Sequence, residues 1–358
     1  MKDKSVLLKG EVDKIGVKGS GCANHKDAVL QMLADLKTAG MKPDAIGHRV
    51  VHGGEIFKKT TIATDETLNY LDKVSHLAPL HNPANVMGVQ ACRELFPELK
   101  NIMVFDTAFH NTMPRKAYMY AIPIHDYIDH GIRRYGFHGT SHSFVSKKVA
   151  ELYGKPIDQL KIITVHIGNG CSVCAIDKGK SVETSMGLTP LEGLVMGTRS
   201  GDIDPAAVQY LAKAHNMSTE QTINYLNKEC GMKGLAGIGT SDVRELIANF
   251  DKTDVQNAFD VNFHRITKYI GAYAAVMNGV DAIVWTGGVG TNMPIPRDKV
   301  MANFGYIGAN IDPELNAVYY NCAKTGEISA EGAKVRTFVV NTNEELEIAN
   351  EVVAILGF

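Results

Sequence analysis

The sequence predicts an α/β protein built as two successive halves of similar style. Its 358 residues exceed the size at which a single hydrophobic core stops growing. Strand-like runs alternate with amphipathic helical patterns along the chain, and this alternation is typical of α/β architecture. Glycine-rich turns follow two of the strands, where a backbone without side chains lets a phosphate approach the N–H groups. Together these observations favour a nucleotide-binding protein of two domains.

The first half shows helix, strand, helix and strand in turn. Apolar residues recur at helical spacing in HKDAVLQMLADLKTAG, over residues 25–40, and Gly40 ends the pattern. The run AIGHRVVHGG predicts a buried strand that leads into a glycine turn. A second helix is predicted over NPANVMGVQACRELF, with Asn82 and Pro83 in the N-cap and N1 positions, and the strand NIMVFDTAFH follows.

The second half repeats the alternation. A helix is predicted after GTSH, with Thr140 and Ser141 as N-cap residues and His142 in the first turn. The next elements are a strand pair over 161–183, helices over 205–228 and 254–278, and the strand DAIVWTGG. The run KVRTFVVNTNEELEIANEVVAIL predicts a last strand and helix.

Two glycine-rich turns are candidate phosphate sites. One lies within HIGNG, at Gly168, Asn169 and Gly170, and the other follows the strand in DAIVWTGGVGTN, at Gly287, Gly288 and Gly290. Either turn alone is compatible with an ordinary connection. The sequence contains no G-x-x-x-x-G-K-[ST] and no G-x-G-x-x-G motif, which excludes a P-loop kinase and a dinucleotide fold on motif grounds.

Composition and charge exclude several classes of partner. The chain is 45% hydrophobic and 21% charged, and its 37 basic and 39 acidic residues are interspersed and give a formal charge of −2. Such a balance provides no field for a nucleic-acid backbone or an anionic membrane. The N-terminus lacks the apolar core of a signal peptide, and no apolar run approaches the length of a membrane span. We therefore expect a cytoplasmic protein that binds neither nucleic acid nor membrane.

The six cysteines are scattered through the sequence, as in proteins of a reducing compartment. Only Cys171 and Cys174 are close to each other. They fall on a predicted strand, where residues three apart point to opposite faces, so we do not expect a shared metal or redox site.

Polar residues cluster at the ends of predicted strands, where α/β folds assemble ligand sites. The clusters are GHRVVHGG, VFDTAFH, YGFHGTSH and MGTRSGDIDP. Two arginine forks, a histidine donor and an aspartate suit phosphoryl transfer, because positioned cations stabilise the charge that spreads over the equatorial oxygens. Each of these residues could instead have a purely structural role. These roles are a surface ion pair for Arg49, a turn for Asp106, a core position for His138 and a structural link from Arg199 to Asp202.

Other polar residues in or near these clusters fit a structural or a functional role equally well. Asp202 and Asp204 are compatible with a turn before Pro205. The same two roles are open for three further histidines, which are His52, His81 and His110.

The clusters and the turns together resemble the successive signatures of acetate kinases. GHRVVHGG, LAPLHNPAN, VFDTAFH, RRYGFHGTSH, HIGNG, MGTRSGDIDP, TSDVRE, GGVGTN and TNEEL occur in the family's order and cover nearly the full chain. The resemblance implies two ribonuclease-H-like domains of the actin and sugar-kinase type with an active-site cleft between them. The implied domains are residues 1–107 with 345–358 and residues 108–344. It also implies reversible, Mg²⁺-dependent in-line transfer from ATP to acetate, giving ADP and acetyl phosphate, by a homodimer.

The resemblance implies roles for individual residues. Asp106, His138 and Arg199 would be catalytic, with His138 and Arg199 stabilising the phosphoryl group, and Glu344 would help to bind Mg²⁺. The implied acetate-binding residues are Arg49, for the carboxylate, and Val51, Leu80, Phe137 and Pro190, for the methyl group. The implied nucleotide-binding residues are His166, Ile167, Gly168, Asn169, Gly170, Asp242, Val243, Arg244, Gly288, Val289, Gly290, Thr291 and Asn292.

The sequence departs from the family's pattern at two places. Acetate kinases open with a strand and an N-x-G-S-S-S turn beside the transferred phosphate, whereas KDKSVLLKGEVDKIG resembles the stretch after that hairpin. Thr291 stands where the family usually has glutamate. The missing hairpin leaves open a catalytically impaired nucleotide-binding homologue. Two further alternatives are a kinase for propionate or another short-chain acid, because propionate kinases share most of the signatures, and a histidine-rich metalloenzyme, because the chain has 13 histidines and His138 and His142 are four residues apart.

Overall fold

The structure, a computed structural model, describes residues 5–13, 15, 22–78, 81–322 and 324–358. The chain divides into two compact units, residues 1–109 with 343–358 and residues 110–342. Each unit combines a β-sheet with helices, which confirms the predicted α/β class.

The helices and strands before residue 110 are α1 (His25–Thr38), β1 (Ala45–Val50), β2 (Thr61–Ile62), α2 (Asp65–Lys73), α3 (Asn82–Leu95) and β3 (Lys100–Phe105). Those of the second unit are α4 (Arg115–Tyr118), α5 (Ile124–His130), α6 (Gly139–Tyr153), β4 (Lys161–Ile167), β5 (Cys171–Asp177), β6 (Lys180–Thr184), α7 (Pro205–Ala214), α8 (Thr219–Lys228), α9 (Gly231–Ala236), α10 (Val243–Ala248), α11 (Thr253–Val276), β7 (Ala282–Thr286), α12 (Gly287–Asn292), α13 (Pro294–Met301), α14 (Pro313–Val318), β8 (Gly326–Glu327) and β9 (Arg336–Val339). Helix α15 (Glu344–Leu356) belongs to the first unit.

The first unit is organised around β3. This strand lies between β1, to which it is parallel, and β2, to which it is antiparallel. Because side chains alternate along a strand, Met103 and Phe105 join the core formed with α2 and α3, whereas Ile102 and Val104 pack with Val352 of α15. Helices thus cover both faces of the sheet. Strand β1 lies at an edge of the described sheet and is mostly half-buried or exposed, so the prediction of a buried strand was wrong.

The second unit contains a mixed sheet in the order β6-β5-β4-β7-β9-β8. Strands β4, β7 and β9 are parallel, and β4 and β5 form the predicted antiparallel pair. Every residue of β7 is buried, as expected for a parallel strand inside a sheet. Helix α6 packs against β4 and β7, and α11 packs against β4 and β5.

The predicted starts of two helices differ from the structure. His81, not Asn82, is the N-cap residue of α3. Helix α6 begins at Gly139 with His138 in the N-cap position, so the predicted capping by Thr140 and Ser141 was wrong. Ser141 instead contacts another side chain, and His142 lies in the first turn as predicted.

The glycines after β7 form a helix start and not an open turn. Gly287 has φ +78°, and a Cβ there would lie 2.6 Å from the carbonyl oxygen of Ile167. Glycine is therefore required where α12 leaves β7 beside β4. The six cysteines are all described and are free thiols. Cys171 contacts the Gly168 carbonyl and Cys174 contacts Ser181, so the two sulfurs have different surroundings.

Candidate functional site

The first cluster of polar side chains lies at the carboxyl ends of β1 and β3. Parallel pairing sets Arg49 opposite Val104, and the Asp106 amide donates to the Val50 carbonyl at 2.9 Å. The arginine at the end of one strand therefore meets the aspartate that follows the next. Arg49 donates to both Asp106 carboxylate oxygens, from Nε at 3.0 Å and from Nη2 at 2.5 Å. Such a bidentate pair fixes the plane of the guanidinium.

Burial differs sharply between the two partners. Asp106 is 1% exposed, whereas the Arg49 side chain is 46% exposed. Burial raises the pKa of the Asp106 carboxyl to about 6, although the Arg49 guanidinium opposes this shift. Asp106 in turn raises the pKa of Arg49. The buried Asp106 carboxylate thus fixes a guanidinium that is still about half exposed.

Glu344 completes this cluster from the first turn of α15. Its Oε2 lies 3.9 Å from Arg49 Nε, and the carboxylate is partly exposed. Magnesium in phosphate-transfer sites is typically bound by one or two carboxylates together with substrate phosphates and water. A single accessible carboxylate suits that kind of site. The described residues contain no group of three or more His, Cys, Asp or Glu side chains that could hold a metal by themselves.

Helix α3 holds the loop that follows β1. Asn85 Oδ1 accepts from the Val51 amide at 3.1 Å, and Asn82 exchanges two hydrogen bonds with the backbone of His52. The signature HNPAN therefore carries two buried or half-buried asparagines with a positioning role, which the sequence analysis did not identify. Predicted residue Leu80 lies outside the described residues.

The second cluster surrounds the turn between β4 and β5. The space where a Cβ on Gly170 would stand lies 3.3 Å from His138 Nε2 and 3.5 Å from Arg199 Nη1. Gly168 closes the turn by donating to the Gly170 carbonyl at 3.0 Å. A histidine and an arginine that are far apart in sequence thus converge on a glycine turn of this unit.

Both side chains are held by neighbours. His138 lies in the left-handed region, with φ +58°, and its Nδ1 is 2.8 Å from Ser172 Oγ. Its ring stacks on that of His166, with the centroids 4.3 Å apart. Arg199 donates to the Pro190 carbonyl at 3.1 Å. Among the described residues, Asp202 contacts Gly193, Arg265 and Tyr269, so the alternative link between Arg199 and Asp202 was wrong.

Other predicted residues have mainly structural contacts. Phe137 is buried, and its carbonyl is 3.0 Å from His110 Nε2. His110 is buried as well, and burial lowers its pKa to about 4. Asp204 caps α7 by accepting from the Ala206 amide at 2.7 Å.

A cavity of about 770 Å³ opens beside the glycine turn. Its size is that of a site for a small molecule. The predicted nucleotide-binding residues that line it are Ile167, Gly168, Asn169, Asp242, Val243, Arg244, Gly288, Val289 and Asn292. His166, Gly170, Gly290 and Thr291 are not among its lining residues, and the Thr291 hydroxyl donates to the Gly287 carbonyl inside α12.

Much of the cavity wall was not predicted. Apolar surface comes from Met232, Ile247, Phe259, Phe263 and Pro296. Phe259 and Phe263 are four residues apart on α11, a spacing that marks one helix face but does not distinguish a cavity wall from an ordinary core. Asp242 caps α10 and pairs with the exposed Arg244, which lowers the pKa of Asp242 to about 2.

Comparisons with known proteins match these signatures over nearly the whole chain. The model of the family described as the Acetokinase family matches residues 2–350. An acetate kinase of Thermotoga petrophila is 48% identical over 375 residues, which cover 98% of this chain and 93% of that protein.

Two solved structures are also similar. The structure of Porphyromonas gingivalis acetate kinase has a TM-score of 0.89 and 42% identity, covering 94% of this chain and 86% of that one. A propionate kinase from Francisella tularensis has a TM-score of 0.85 and 40% identity, covering 91% of this chain and 83% of that one. These similarities confirm the fold that the resemblance implied. No helix in the described part of the chain is long and apolar enough to cross a membrane.

Proposed function

We propose that this chain, which belongs to the acetokinase family, is an acetate kinase that transfers the γ-phosphoryl group of ATP to acetate. The observation that carries the proposal is the convergence of His138 and Arg199 on the Gly170 turn, beside the cavity. One side of that turn offers room for a nucleoside and the other offers two donors for a phosphoryl group.

The transfer is a direct displacement at phosphorus. An oxygen of the acetate carboxylate forms the new P–O bond, and the bond from Pγ to the β,γ-bridging oxygen breaks with its electron pair going to ADP. Acetate is already ionised at neutral pH, so no base has to remove a proton. His138 Nε2 and the Arg199 guanidinium donate to the equatorial oxygens, where charge is spread in the transition state.

The cavity is our proposed nucleoside site. Its apolar surface suits the faces of a purine ring, and Asn169, Asp242 and Asn292 supply polar groups for orientation. Gly168 and Gly170 leave the backbone of the turn open to phosphate oxygens. The Arg244 side chain is 90% exposed, so it can change rotamer towards a nucleotide without breaking a buried contact.

Arg49 is our proposed anchor for the acetate carboxylate. Its exposed guanidinium is fixed by Asp106 and has N–H groups left for a second carboxylate. Val51 is the first residue after β1 and is our proposed contact for the methyl group of acetate. Asp106 acts through Arg49 in this proposal. The proposed roles of Phe137 and Pro190, which belong to the second unit, rest on the family resemblance alone.

Magnesium is our proposed cofactor, with Glu344 as the protein carboxylate that would hold it. When bound, Mg²⁺ neutralises charge on the phosphates. Glu344 stays a candidate because its carboxylate is partly exposed beside Arg49.

A hydroxylamine assay tests the function. The purified chain with ATP, Mg²⁺ and acetate should form an acyl phosphate that hydroxylamine traps as a hydroxamate, and EDTA should abolish the product. Absence of the hydroxamate in the reaction, together with failure of acetyl phosphate and ADP to give ATP in the reverse direction, would refute the proposal.

Propionate is the second candidate substrate, because a similar solved structure is a propionate kinase. One methylene in an apolar pocket changes binding by about 1 to 3 kcal/mol. We expect kcat/KM to favour acetate by at least about tenfold. A higher kcat/KM for propionate in parallel assays would reassign the substrate.

Location and assembly complete the proposal. We propose a cytoplasmic homodimer, supported by six free thiols and by the family resemblance. Sedimentation equilibrium should give twice the chain mass of 38.9 kDa, and a monomer mass at micromolar concentration would refute this part.

A further inference from the structure

A chain of hydrogen bonds runs from inside the second unit to the His138 ring. Thr164 Oγ1 is 2.7 Å from His142 Nδ1, and His142 Nε2 is 2.8 Å from Ser172 Oγ. The same Ser172 oxygen is 2.8 Å from His138 Nδ1. Thr164, His142 and Ser172 are each 0% exposed. Three buried groups are therefore hydrogen-bonded one to the next, and the last of them contacts the half-buried imidazole of His138.

The position of each proton in this chain follows from donor counting. Burial lowers the pKa of His142 well below its usual value, so its ring is neutral, with one N–H donor and one bare acceptor nitrogen. Each hydroxyl carries one proton. The Ser172 oxygen could accept from both rings, but its own proton would then lack an acceptor, since the two imidazole nitrogens are its hydrogen-bond partners among the described residues. Two directions of donation remain, and each fixes the tautomer of a neutral His138.

The innermost hydroxyl selects the direction. Among the residues that the structure describes, the Thr164 hydroxyl has His142 Nδ1 as its one hydrogen-bond partner. If the hydroxyl donates there, His142 Nε2–H donates to Ser172, and the Ser172 hydroxyl donates to His138 Nδ1. The reverse order would leave the buried Thr164 proton without an acceptor, which is costly in a dry interior. The first order satisfies every group.

The consequence lies at the other edge of the His138 ring. With Nδ1 accepting from Ser172, the proton of the neutral imidazole is on Nε2, the atom that faces the space over Gly170 beside Arg199. This is the edge to which we assign donation to the phosphoryl group. The left-handed backbone at His138 and the His166 stack leave the ring little freedom to turn.

We propose that Ser172 is a positioning residue which, through His142 and Thr164, holds His138 in the Nε2–H tautomer. The inference about the tautomer stands on the hydrogen-bond geometry, and its effect on rate rests on the proposed function. In other enzymes, loss of the group that orients a catalytic or ligating histidine lowers activity by about tenfold or more.

Nitrogen NMR tests the tautomer directly. In protein labelled with ¹⁵N at histidine, long-range ¹H–¹⁵N correlations distinguish a protonated from a bare ring nitrogen, and His138→Asn identifies the His138 signals. The parent should show a bare Nδ1 and a protonated Nε2. A protonated Nδ1 with a bare Nε2 in the parent would overturn the proposal.

Thr164→Val tests the remote end of the chain. Valine matches threonine in shape but removes the donor, so His138 should become a mixture of tautomers although Thr164 lies two hydrogen-bonded groups away. Thr337→Val is the matched control, because Thr337 is also a fully buried strand threonine of this sheet and has no hydrogen-bond partner for its hydroxyl among the described residues. An unchanged His138 spectrum in Thr164→Val would count against the proposal.

Ser172→Ala tests the effect on rate. We expect kcat to fall by about tenfold to a hundredfold while the KM values for ATP and acetate change less than about threefold. Ser172→Ala with the parent's kcat and tautomer would overturn the proposal. If the parent forms no acyl phosphate, the proposed function fails, and the NMR result still decides the tautomer.

Discussion

Asp106 and Arg49 show how one residue can set the properties of another. The buried carboxylate fixes the guanidinium, and the guanidinium, which stays 46% exposed, is our proposed anchor for the acetate carboxylate. Burial raises the pKa of Asp106 to about 6, so its charge changes near physiological pH. The acetate end of the proposed reaction should therefore be sensitive to pH.

We expect the KM for acetate to rise as the pH falls below about 6. Asp106 takes up a proton in that range and loses its ionic interaction with Arg49.

The raised pKa of Asp106 also makes the stability of the folded protein depend on pH. The folded pKa lies above the usual aspartate value of 3.8, so the folded state binds the proton more tightly, and the cost of burying this carboxylate diminishes as the pH falls through 6.

Steady-state kinetics between pH 5 and about 8 measure this effect. Asp106→Asn is the matched control, because it lacks the titrating group and should have a high KM that does not rise further in the acid range. A KM for acetate that stays constant in the parent from pH 7 to about 5 would contradict the role of Asp106.

Arg199 gives the second prediction at this scale. Arg199→Ala removes a donor placed beside His138 Nε2, so kcat should fall by about 10²- to 10³-fold. Circular dichroism and the unfolding midpoint should change little, because Arg199 is only half-buried. Arg115→Ala, at an exposed arginine on α4, should keep the parent's kcat. An Arg199→Ala enzyme as fast as the parent would remove Arg199 from the mechanism.

At the scale of single elements, the β7–α12 junction is the most constrained part of the cavity. Gly287 combines φ +78° with a close approach to the Ile167 carbonyl, where β4 ends. Buried Arg297 donates to the carbonyls of Gly290 and Thr291, at 2.7 and 3.0 Å, and so holds the far end of α12. The strand, the glycine and the arginine together fix this side of the proposed nucleotide cavity.

Gly287→Ala should lower the free energy of unfolding by more than about 2 kcal/mol and weaken ADP binding, because the new Cβ adds a steric clash to the unfavourable φ. Gly154→Ala separates the two causes. Gly154 ends α6 with φ +77° and open space around its Cβ position, so its alanine variant should lose only about 1 kcal/mol. Urea unfolding and ADP titration measure both, and equal losses in the two variants would show that the clash has no effect.

At the scale of the whole molecule, the two compact units carry different parts of the proposed chemistry. The cavity, the glycine turn, His138 and Arg199 all belong to residues 110–342. Arg49, Asp106 and Glu344 belong to the other unit. Each unit has its own sheet and core, so a ligand of either cluster should slow amide hydrogen exchange in a different set of segments.

ADP alone should slow amide hydrogen exchange in the second unit, at the turn 168–170 and in the cavity segments 240–247, 259–263 and 288–296. The reason is that binding to the folded cavity suppresses local opening. Inorganic pyrophosphate is the control, because it lacks the nucleoside and should protect only the glycine turn. Protection by ADP that is confined to residues 45–106 would contradict the assignment of the cavity.

Much of the fold and part of the candidate site followed from the sequence. Helical spacing located α1, α3 and α11, and the β-branched runs located β3, β4 and β7, because these patterns depend on neighbouring residues. The starts of α3 and α6 were misplaced. At α6 the hydroxyl side chains of Thr140 and Ser141 predicted the N-cap, whereas the left-handed His138 occupies that position without a side-chain cap.

The sequence by itself determined the α/β class, the order of several main helices and strands and, through its nine signatures, the family. Only the tertiary structure decided which side chains meet. It joined Arg49 to Asp106, placed Ser172 behind His138 and brought Phe259 to the cavity. The physical reason is that periodicity records contacts between near neighbours, whereas these contacts arise when parallel strands bring their carboxyl ends together and helices pack on the sheet.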